Sequence, residues 1–129
     1  MKTFEIFLTV TSNDLDELNH VNNVRYVHWV QEVAKAHWTT FASEEIRAAH
    51  FWVMLTHFIE YKRPAFLDEV LKLKTYITKA EGVTCTRVVE IINNSTNKLM
   101  AKSETTWCFI NSKTLKPARI TDEVFKIFY

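Results

Sequence analysis

The chain has 129 residues, enough for one domain over residues 1–129 with a single core. Hydrophobic residues make up 47% and aromatic residues 13% of the chain, which excludes intrinsic disorder. The 16 Lys and Arg residues balance 15 Asp and Glu residues, so no basic face for nucleic-acid phosphates is expected. Gly82 is the single glycine, which excludes a glycine-rich phosphate loop or dinucleotide fingerprint.

The cysteine count and the apolar runs limit the setting of the protein. Cys85 and Cys108 are too few for a disulfide framework, and no Cys/His spacing fits a zinc site. The longest apolar run, residues 51–55, is far shorter than the ~20 residues that span a bilayer. The first ten residues lack the small-residue cleavage site of a signal peptide. We expect a cytoplasmic protein with no metal and with neither membrane nor nucleic acid as partner.

The first elements are predicted from a change in apolar spacing. Alternation over residues 4–10 predicts a half-buried strand, and residues 11–23 form a polar stretch. From about Asn22 the apolar residues recur every three or four positions, which predicts a helix of about five turns ending near Phe41. Its apolar stripe comprises Tyr26, Val27, Val30, Val33, Ala34, His37, Trp38 and Phe41. Ser43, followed by two acids, predicts the N-cap of a second, short helix.

The remainder of the chain is typical of strands. Apolar and β-branched residues predict strands over residues 51–63, 69–80, 83–92 and 99–111, and Thr121 begins a capped terminal helix. Because these strands follow one another with short connections, we expect an antiparallel, meander-like sheet. The predicted fold is α+β: a long central helix packed against a curved sheet of five to six strands.

The chemistry-bearing segment lies directly before the long helix. Residues 13–26 contain three carboxylates, one histidine and several asparagines. A helix N-terminus has unpaired N–H groups and a partial positive charge, which can stabilise a carboxylate and polarise a carbonyl. The same residue types are also ordinary helix caps, and composition alone favours that role. His20 by itself is more typical of a cap or a hydrogen-bonded structural histidine than of a base.

Residues 16–26 resemble the Asp-x-x-(Gly/Asn)-His-Val-Asn-Asn-x-x-Tyr signature of hotdog-fold acyl thioesterases. The similarity is to the 4-hydroxybenzoyl-CoA thioesterase type and to plant acyl-carrier-protein thioesterases. A weaker match covers residues 61–70. The resemblance implies a hotdog fold, an acyl-CoA or acyl-carrier-protein thioester as substrate, and hydrolysis without a cofactor.

The resemblance also implies roles for particular residues. Asp16 would attack the thioester or activate water, the backbone N–H of Asn23 would polarise the carbonyl, and His20 belongs to the same catalytic group. The implied substrate-binding residues are Asn22, Tyr26, Arg63, Gly82, Val83 and Thr84. The acyl chain is expected near Tyr26, Val30, Leu55 and Phe58. Coenzyme A phosphates are expected near Lys62, Arg63, Lys79 and Arg87.

Hotdog proteins form dimers that join their sheets edge to edge, so the resemblance implies a homodimer, with tetramers or hexamers as possible larger assemblies. Leu18 and Pro64 replace the Asn and Glu of the plant enzymes, which favours the simpler aspartate mechanism. Asn19 stands where the family often has glycine. Glu32 on the helix is the second candidate acid. The alternative function is a non-catalytic hotdog module that binds acyl-CoA.

Overall fold

The computed structural model describes residues 2–129, and within them the chain forms five strands and three α-helices. In chain order they are β1 (Phe4–Thr9), α1 (Asn23–Phe41), α2 (Glu44–Ala49), β2 (His50–Tyr61), β3 (Val70–Glu81), β4 (Thr84–Asn93), β5 (Leu99–Asn111) and α3 (Asp122–Phe128). All the predicted elements are present, with boundaries within about two residues. The predicted N-caps are confirmed, since Ser43 accepts from Ile46 N and Thr121 accepts from Val124 N.

The five strands form one sheet in the order β1-β3-β4-β5-β2, with every neighbouring pair antiparallel. The predicted meander is correct for β3, β4 and β5. It is wrong for β2, which lies beside β5 at the far edge, while β1 occupies the opposite edge. Turn sequences specify hairpins between consecutive strands, whereas the β1–β3 and β2–β5 pairings join strands that are distant in the chain.

Helix α1 lies against one face of the curved sheet, which is the hotdog arrangement. Its buried residues are Tyr26, Trp29, Val30, Val33, Ala34 and His37. This confirms most of the predicted stripe. The prediction for Phe41 is wrong: its ring is exposed at the end of α1, where it contacts Phe4 and His37 at the rim of the core.

The long edge strand β2 defines two ends of the molecule. At the Tyr61 end, the Tyr61 hydroxyl donates to the carbonyl of Asn23 at the start of α1, 3.4 Å away. At the His50 end, Trp52 packs edge-on against Trp38 in the last turns of α1, with ring centroids 5.7 Å apart. The β3–β4 turn also lies at the His50 end, because β4 begins at Thr84 opposite Cys108 of β5. Helix α1 therefore begins at one end of β2 and finishes near the other.

Gly82 occupies the two-residue turn between β3 and β4, where Glu81 pairs with Thr84. Its φ of +64° lies in the left-handed region that glycine tolerates best. A Cβ placed at Gly82 would meet no atom within 4 Å among the described residues. The turn conformation, rather than close approach of another backbone segment, therefore explains this glycine.

We expect Gly82→Ala to lower the free energy of unfolding by about 1 kcal/mol, because a Cβ strains the left-handed backbone. Gly82→Asn should cost less, since asparagine tolerates this conformation better. Equilibrium denaturation of the three proteins measures both differences. An alanine variant as stable as the parent would contradict this explanation.

Candidate active site at the start of helix α1

The motif before α1 folds as a short antiparallel loop. Leu15 and Val21 form an isolated antiparallel bridge, and Asp16 N donates to the carbonyl of His20 at 2.8 Å. Asn19 has a φ of +61°, a left-handed conformation that glycine adopts most readily and that asparagine tolerates. The bridge and this turn place Asp16 on a small loop that leads directly into α1.

Asp14 anchors this loop and is not available for chemistry. Its Oδ2 accepts from the backbone N–H and the hydroxyl of Thr11, at 2.8 and 3.1 Å. Its Oδ1 accepts from Arg25 Nε at 2.8 Å, which ties the loop to the first turns of α1. Both oxygens of this buried carboxylate are therefore engaged by protein groups.

Asp16 is held differently. Its half-buried carboxylate uses Oδ1 to accept from the backbone N–H groups of Leu18, at 2.9 Å, and His20, at 3.2 Å. No group among residues 2–129 hydrogen-bonds to Oδ2. The loop thus orients the carboxylate through one oxygen and leaves the other for a substrate or a water molecule.

The His20 side chain does not contact Asp16 through a hydrogen bond. Its ring packs edge-on against Phe66, with centroids 5.2 Å apart. The backbone of His20 holds Asp16 on both sides, because its N–H donates to Asp16 Oδ1 and its carbonyl accepts from Asp16 N. The structure therefore gives His20 a positioning contact, and the catalytic role of its ring stays a prediction.

The first turn of α1 presents one unused donor. Asn22 is the N-cap, and its side chain accepts from Val24 N at 2.9 Å, while Arg25 N donates to the carbonyl of Asn22. Among residues 2–129, the N–H of Asn23 has no acceptor. Asn23 is exposed, so this N–H is open to a ligand and strengthened by the positive end of the helix dipole.

Two predicted substrate contacts take other positions. Tyr26 is 2% exposed and packs against Trp29 and Tyr61, and burial raises the pKa of its hydroxyl. Tyr26 therefore packs in the core under the start of α1 and does not line the surface. Asn22 serves as the helix cap described above.

The predicted acyl path is not formed within one chain. Val30 is fully buried in the core, whereas Leu55 and Phe58 are exposed on β2. Core side chains fill the space beneath α1 at the Tyr61 end, so residues so differently buried do not line one cavity. Arg63 is exposed at the Tyr61 end, where Nη1 donates to the carbonyl of Leu99.

The segment Gly82–Thr84 lies at the His50 end, away from the Asp16 loop. The carbonyl of Gly82 accepts from Ile120 N and that of Val83 from Phe109 N, both at 2.8 Å. Within one chain, therefore, Asp16 and this segment are not brought together. The second candidate acid, Glu32, lies on the exposed face of α1 and pairs with His28 at 2.7 Å.

A cavity of about 380 Å³ lies at the His50 end, between the second half of α1 and the sheet. Its walls are largely aromatic and include Trp38, Phe51, Trp52, Trp107 and Phe128. The volume falls within the roughly 300–1,000 Å³ typical of small-ligand sites. Sequence reasoning missed this cavity, although three of the four tryptophans line it. The presence of four tryptophans in 129 residues was the available indication.

Arg87 lies in the wall of this cavity and is 4% exposed, so the prediction that it meets coenzyme A phosphates at the surface is wrong. Its Nη1 donates to His37 Nδ1 at 3.0 Å and to Thr75 Oγ1 at 2.9 Å. Burial, and secondarily the charge of Arg87, lower the pKa of His37 to about 4. Burial lowers the pKa of Arg87 to about 10, which leaves it positive at neutral pH.

The buried His37 should make stability fall in acid. Its pKa is about 4 when folded and 6.5 when exposed, so the unfolded state binds the extra proton between these values. We expect the parent to lose about 2 kcal/mol more than His37→Gln between about pH 7.5 and about pH 5. Denaturation at several pH values measures this. Burial also lowers the pKa of His57. Because His57 is present in both proteins, its contribution cancels in the comparison. An equal loss of unfolding free energy in the parent and in His37→Gln would contradict the lowered pKa of His37.

Two further features bear on the class of site. The described residues 2–129 contain no group of three or more His, Cys, Asp or Glu side chains placed to hold a metal ion. In the same residues, no helix combines the length and apolar character needed to cross a bilayer.

Residues 10–128 match the family model of the Thioesterase-like superfamily, and the chain belongs to this superfamily. A curated relative, dodecanoyl-[acyl-carrier-protein] hydrolase from Cinnamomum camphora, is 32% identical over 100 residues. The match covers 75% of this chain but 23% of that protein, so the chain spans about a quarter of the relative's length. The family match supports thioester hydrolysis as the general class of activity.

Solved structures share the hotdog fold. The probable thioesterase YbaW from Escherichia coli has a TM-score of 0.83 and 23% identity, over 95% of this chain and 94% of that one. Slr0204 from Synechocystis, a 1,4-dihydroxy-2-naphthoyl-CoA thioesterase, has a TM-score of 0.85 and 18% identity, over 98% and 96%. SAV2348 from Staphylococcus aureus, solved with CoA, has a TM-score of 0.87 and 19% identity, over 98% and 81%.

Proposed function

We propose that this protein hydrolyses an acyl thioester of coenzyme A or of acyl carrier protein, with Asp16 as the acting carboxylate. The observation that carries the proposal is the geometry before α1. The loop holds Asp16 through Oδ1 and leaves Oδ2 without a partner, and the N–H of Asn23 at the helix start has no acceptor among residues 2–129.

These groups suit both routes of hydrolysis. In one, Asp16 Oδ2 attacks the thioester carbon, the thiolate leaves, and water cleaves the resulting anhydride to release the acid. In the other, Asp16 removes a proton from the attacking water. Each route places negative charge on the carbonyl oxygen, which the N–H of Asn23 would stabilise. A thioester is already activated, so the residues require no added cofactor.

Within a single chain, the carboxylate of Asp16 and the aromatic cavity lie at opposite ends of β2. Asp16 belongs to the Tyr61 end, whereas the cavity lies at the His50 end and is not lined by Asp16. An acyl thioester extending from Asp16 would therefore need an apolar cavity from elsewhere. This separation supports the proposal that the working protein is a homodimer.

Strand β2 provides the surface for that dimer. Within residues 2–129 its backbone pairs with β5 as the only neighbouring strand, so its other edge is open. Five large hydrophobic side chains of this strand are exposed: Phe51, Val53, Leu55, Phe58 and Tyr61. An open, apolar edge strand tends to pair with another strand.

Twofold pairing of β2 with its copy would complete the site. In an antiparallel pair of identical strands, the end of one lies beside the start of the other. The Tyr61 end of one subunit, with Asp16, would then face the His50 end of its partner, with the cavity and Gly82–Thr84. The predicted catalytic and substrate-binding residues, separated in one chain, would meet between two.

Asp16→Asn tests the catalytic assignment. The amide oxygen of asparagine can still accept from Leu18 and His20, so the loop should stay folded while the carboxylate is lost. We expect hydrolysis to fall by about 100-fold or more, measured as thiol release from short, medium, long and aromatic acyl-CoA and acyl-carrier-protein substrates. The neighbouring, exposed Glu17→Gln is the control and should keep full activity.

The screen also separates the proposal from its alternative. A fully active Asp16→Asn protein would overturn the role of Asp16. A parent protein that no thioester turns over, but that acyl-CoA stabilises against heat, would instead be a non-catalytic binding module.

Phe58→Glu tests the dimer. Phe58 is 65% exposed on β2, and Phe7 is 58% exposed on β1 at the opposite edge, which makes Phe7→Glu a matched control. The parent and Phe7→Glu should sediment at about twice the chain mass, whereas a charge on β2 should weaken the dimer at least about tenfold and reduce hydrolysis with it. Phe58→Glu with unchanged mass and activity would contradict pairing through β2.

A further inference from the structure

The wall of the cavity at the His50 end contains a cation that no described residue neutralises. Arg87 is almost fully buried in its wall, and both hydrogen bonds of its guanidinium use Nη1. Among residues 2–129, neither Nε nor Nη2 has an acceptor, and no carboxylate forms an ion pair with Arg87. Three of the five N–H donors of the group are therefore unused.

The side chains around Arg87 do not supply the missing charge. His37 accepts one N–H through Nδ1 and is neutral, and burial raises the pKa of the Cys85 thiol to about 11. The ring of Phe128 lies 5.4 Å from the guanidinium carbon, a cation–π contact without negative charge. A positive charge in a largely apolar wall, with N–H donors that no described residue engages, suits an anionic ligand from outside the chain.

A second unused donor lies in the same wall. The Nε1 of Trp52 is buried and has no acceptor among residues 2–129. The rest of the lining is aromatic, including Trp38 and Trp107, which suits a flat ring or an unbranched chain. The cavity therefore combines apolar walls with N–H donors that a ligand carrying a hydrogen-bond acceptor would satisfy.

We propose that Arg87 selects acyl groups whose far end carries a negatively charged oxygen, a carboxylate or an ionised phenol, over acyl groups that end in a hydrocarbon. Arg87 would bind that oxygen through Nε and Nη2, and Trp52 would add its N–H. This inference rests on the proposed function, because the acyl part of the thioester is the group that enters the cavity. Arg87 would thus determine specificity without taking part in bond cleavage.

Binding to Asp16→Asn measures this preference independently of turnover. The probes are three coenzyme A thioesters with the same ring: 4-carboxybenzoyl, 4-hydroxybenzoyl and 4-methylbenzoyl. We expect the 4-carboxy compound to bind at least about tenfold more tightly than the 4-methyl compound by calorimetry. Binding of the 4-hydroxy compound is measured at pH values below and above the pKa of its phenol. Tighter binding above that pKa shows that an ionised phenol is accepted as well as a carboxylate. Equal or tighter binding of the 4-methyl compound would overturn the inference.

Substitutions of Arg87 assign the preference to this residue. In the Asp16→Asn background, Arg87→Met should abolish or reverse the tenfold ratio, and Arg87→Lys, which keeps the charge but loses the planar donors, should retain part of it. Lys113→Met removes an exposed cation outside the cavity and should leave the ratio unchanged. A folded Arg87→Met that keeps the ratio would overturn the proposal. If Arg87→Met does not fold, Arg87→Lys decides the question. An Arg87→Lys variant with the same binding ratio as the parent would then overturn the proposal.

The kcat/KM ratio of the same thioesters with the parent protein separates the two proposals. Hydrolysis of all three thioesters without preference would overturn the role of Arg87 and leave the hydrolase intact. Selective binding of the 4-carboxy compound without any turnover would overturn the hydrolase and support Arg87 as the anion-binding residue of an acyl-CoA-binding module.

Discussion

The pairing of β2 with β5 is the constraint on which the rest of the molecule depends. It places β2 at the edge of the sheet, leaves one row of its backbone groups unpaired, and sets Tyr61 and His50 at opposite ends. Because α1 runs between these ends, the loop with Asp16 and the aromatic cavity cannot meet within one chain. The proposed homodimer would cover the exposed apolar side chains of β2 and would bring the two ends together.

Neighbouring carboxylates acquire different roles from their hydrogen bonds. Asp14 and Asp16 are two residues apart, but Thr11 and Arg25 engage both oxygens of Asp14, while backbone N–H groups hold only one oxygen of Asp16. A carboxylate with both oxygens engaged stabilises the loop, and one with a free oxygen can react. The buried pair of Arg87 and His37 shows the same distinction, because Arg87 has N–H donors that no residue in the described part of the chain accepts from.

Local patterns predicted the elements well because each depends on neighbouring residues. The apolar spacing located α1, the N-caps at Ser43 and Thr121 located α2 and α3, and the short connections predicted the β3–β4 and β4–β5 pairings. Likewise, the motif placed Asp16 and the Asn23 N–H on one loop and helix start. These features need only contacts within about twenty residues of chain.

By itself, the sequence determined the α+β class, the strands and helices, and a loop with a carboxylate before a helix. Only the tertiary structure decided that β2 pairs with β5, that Tyr26 is buried beneath the site, and that Arg87 faces an aromatic cavity. The physical reason is that burial and charge compensation depend on residues far apart in the chain. Arg87 and His37, 50 positions apart, show no pattern until the sheet brings them together.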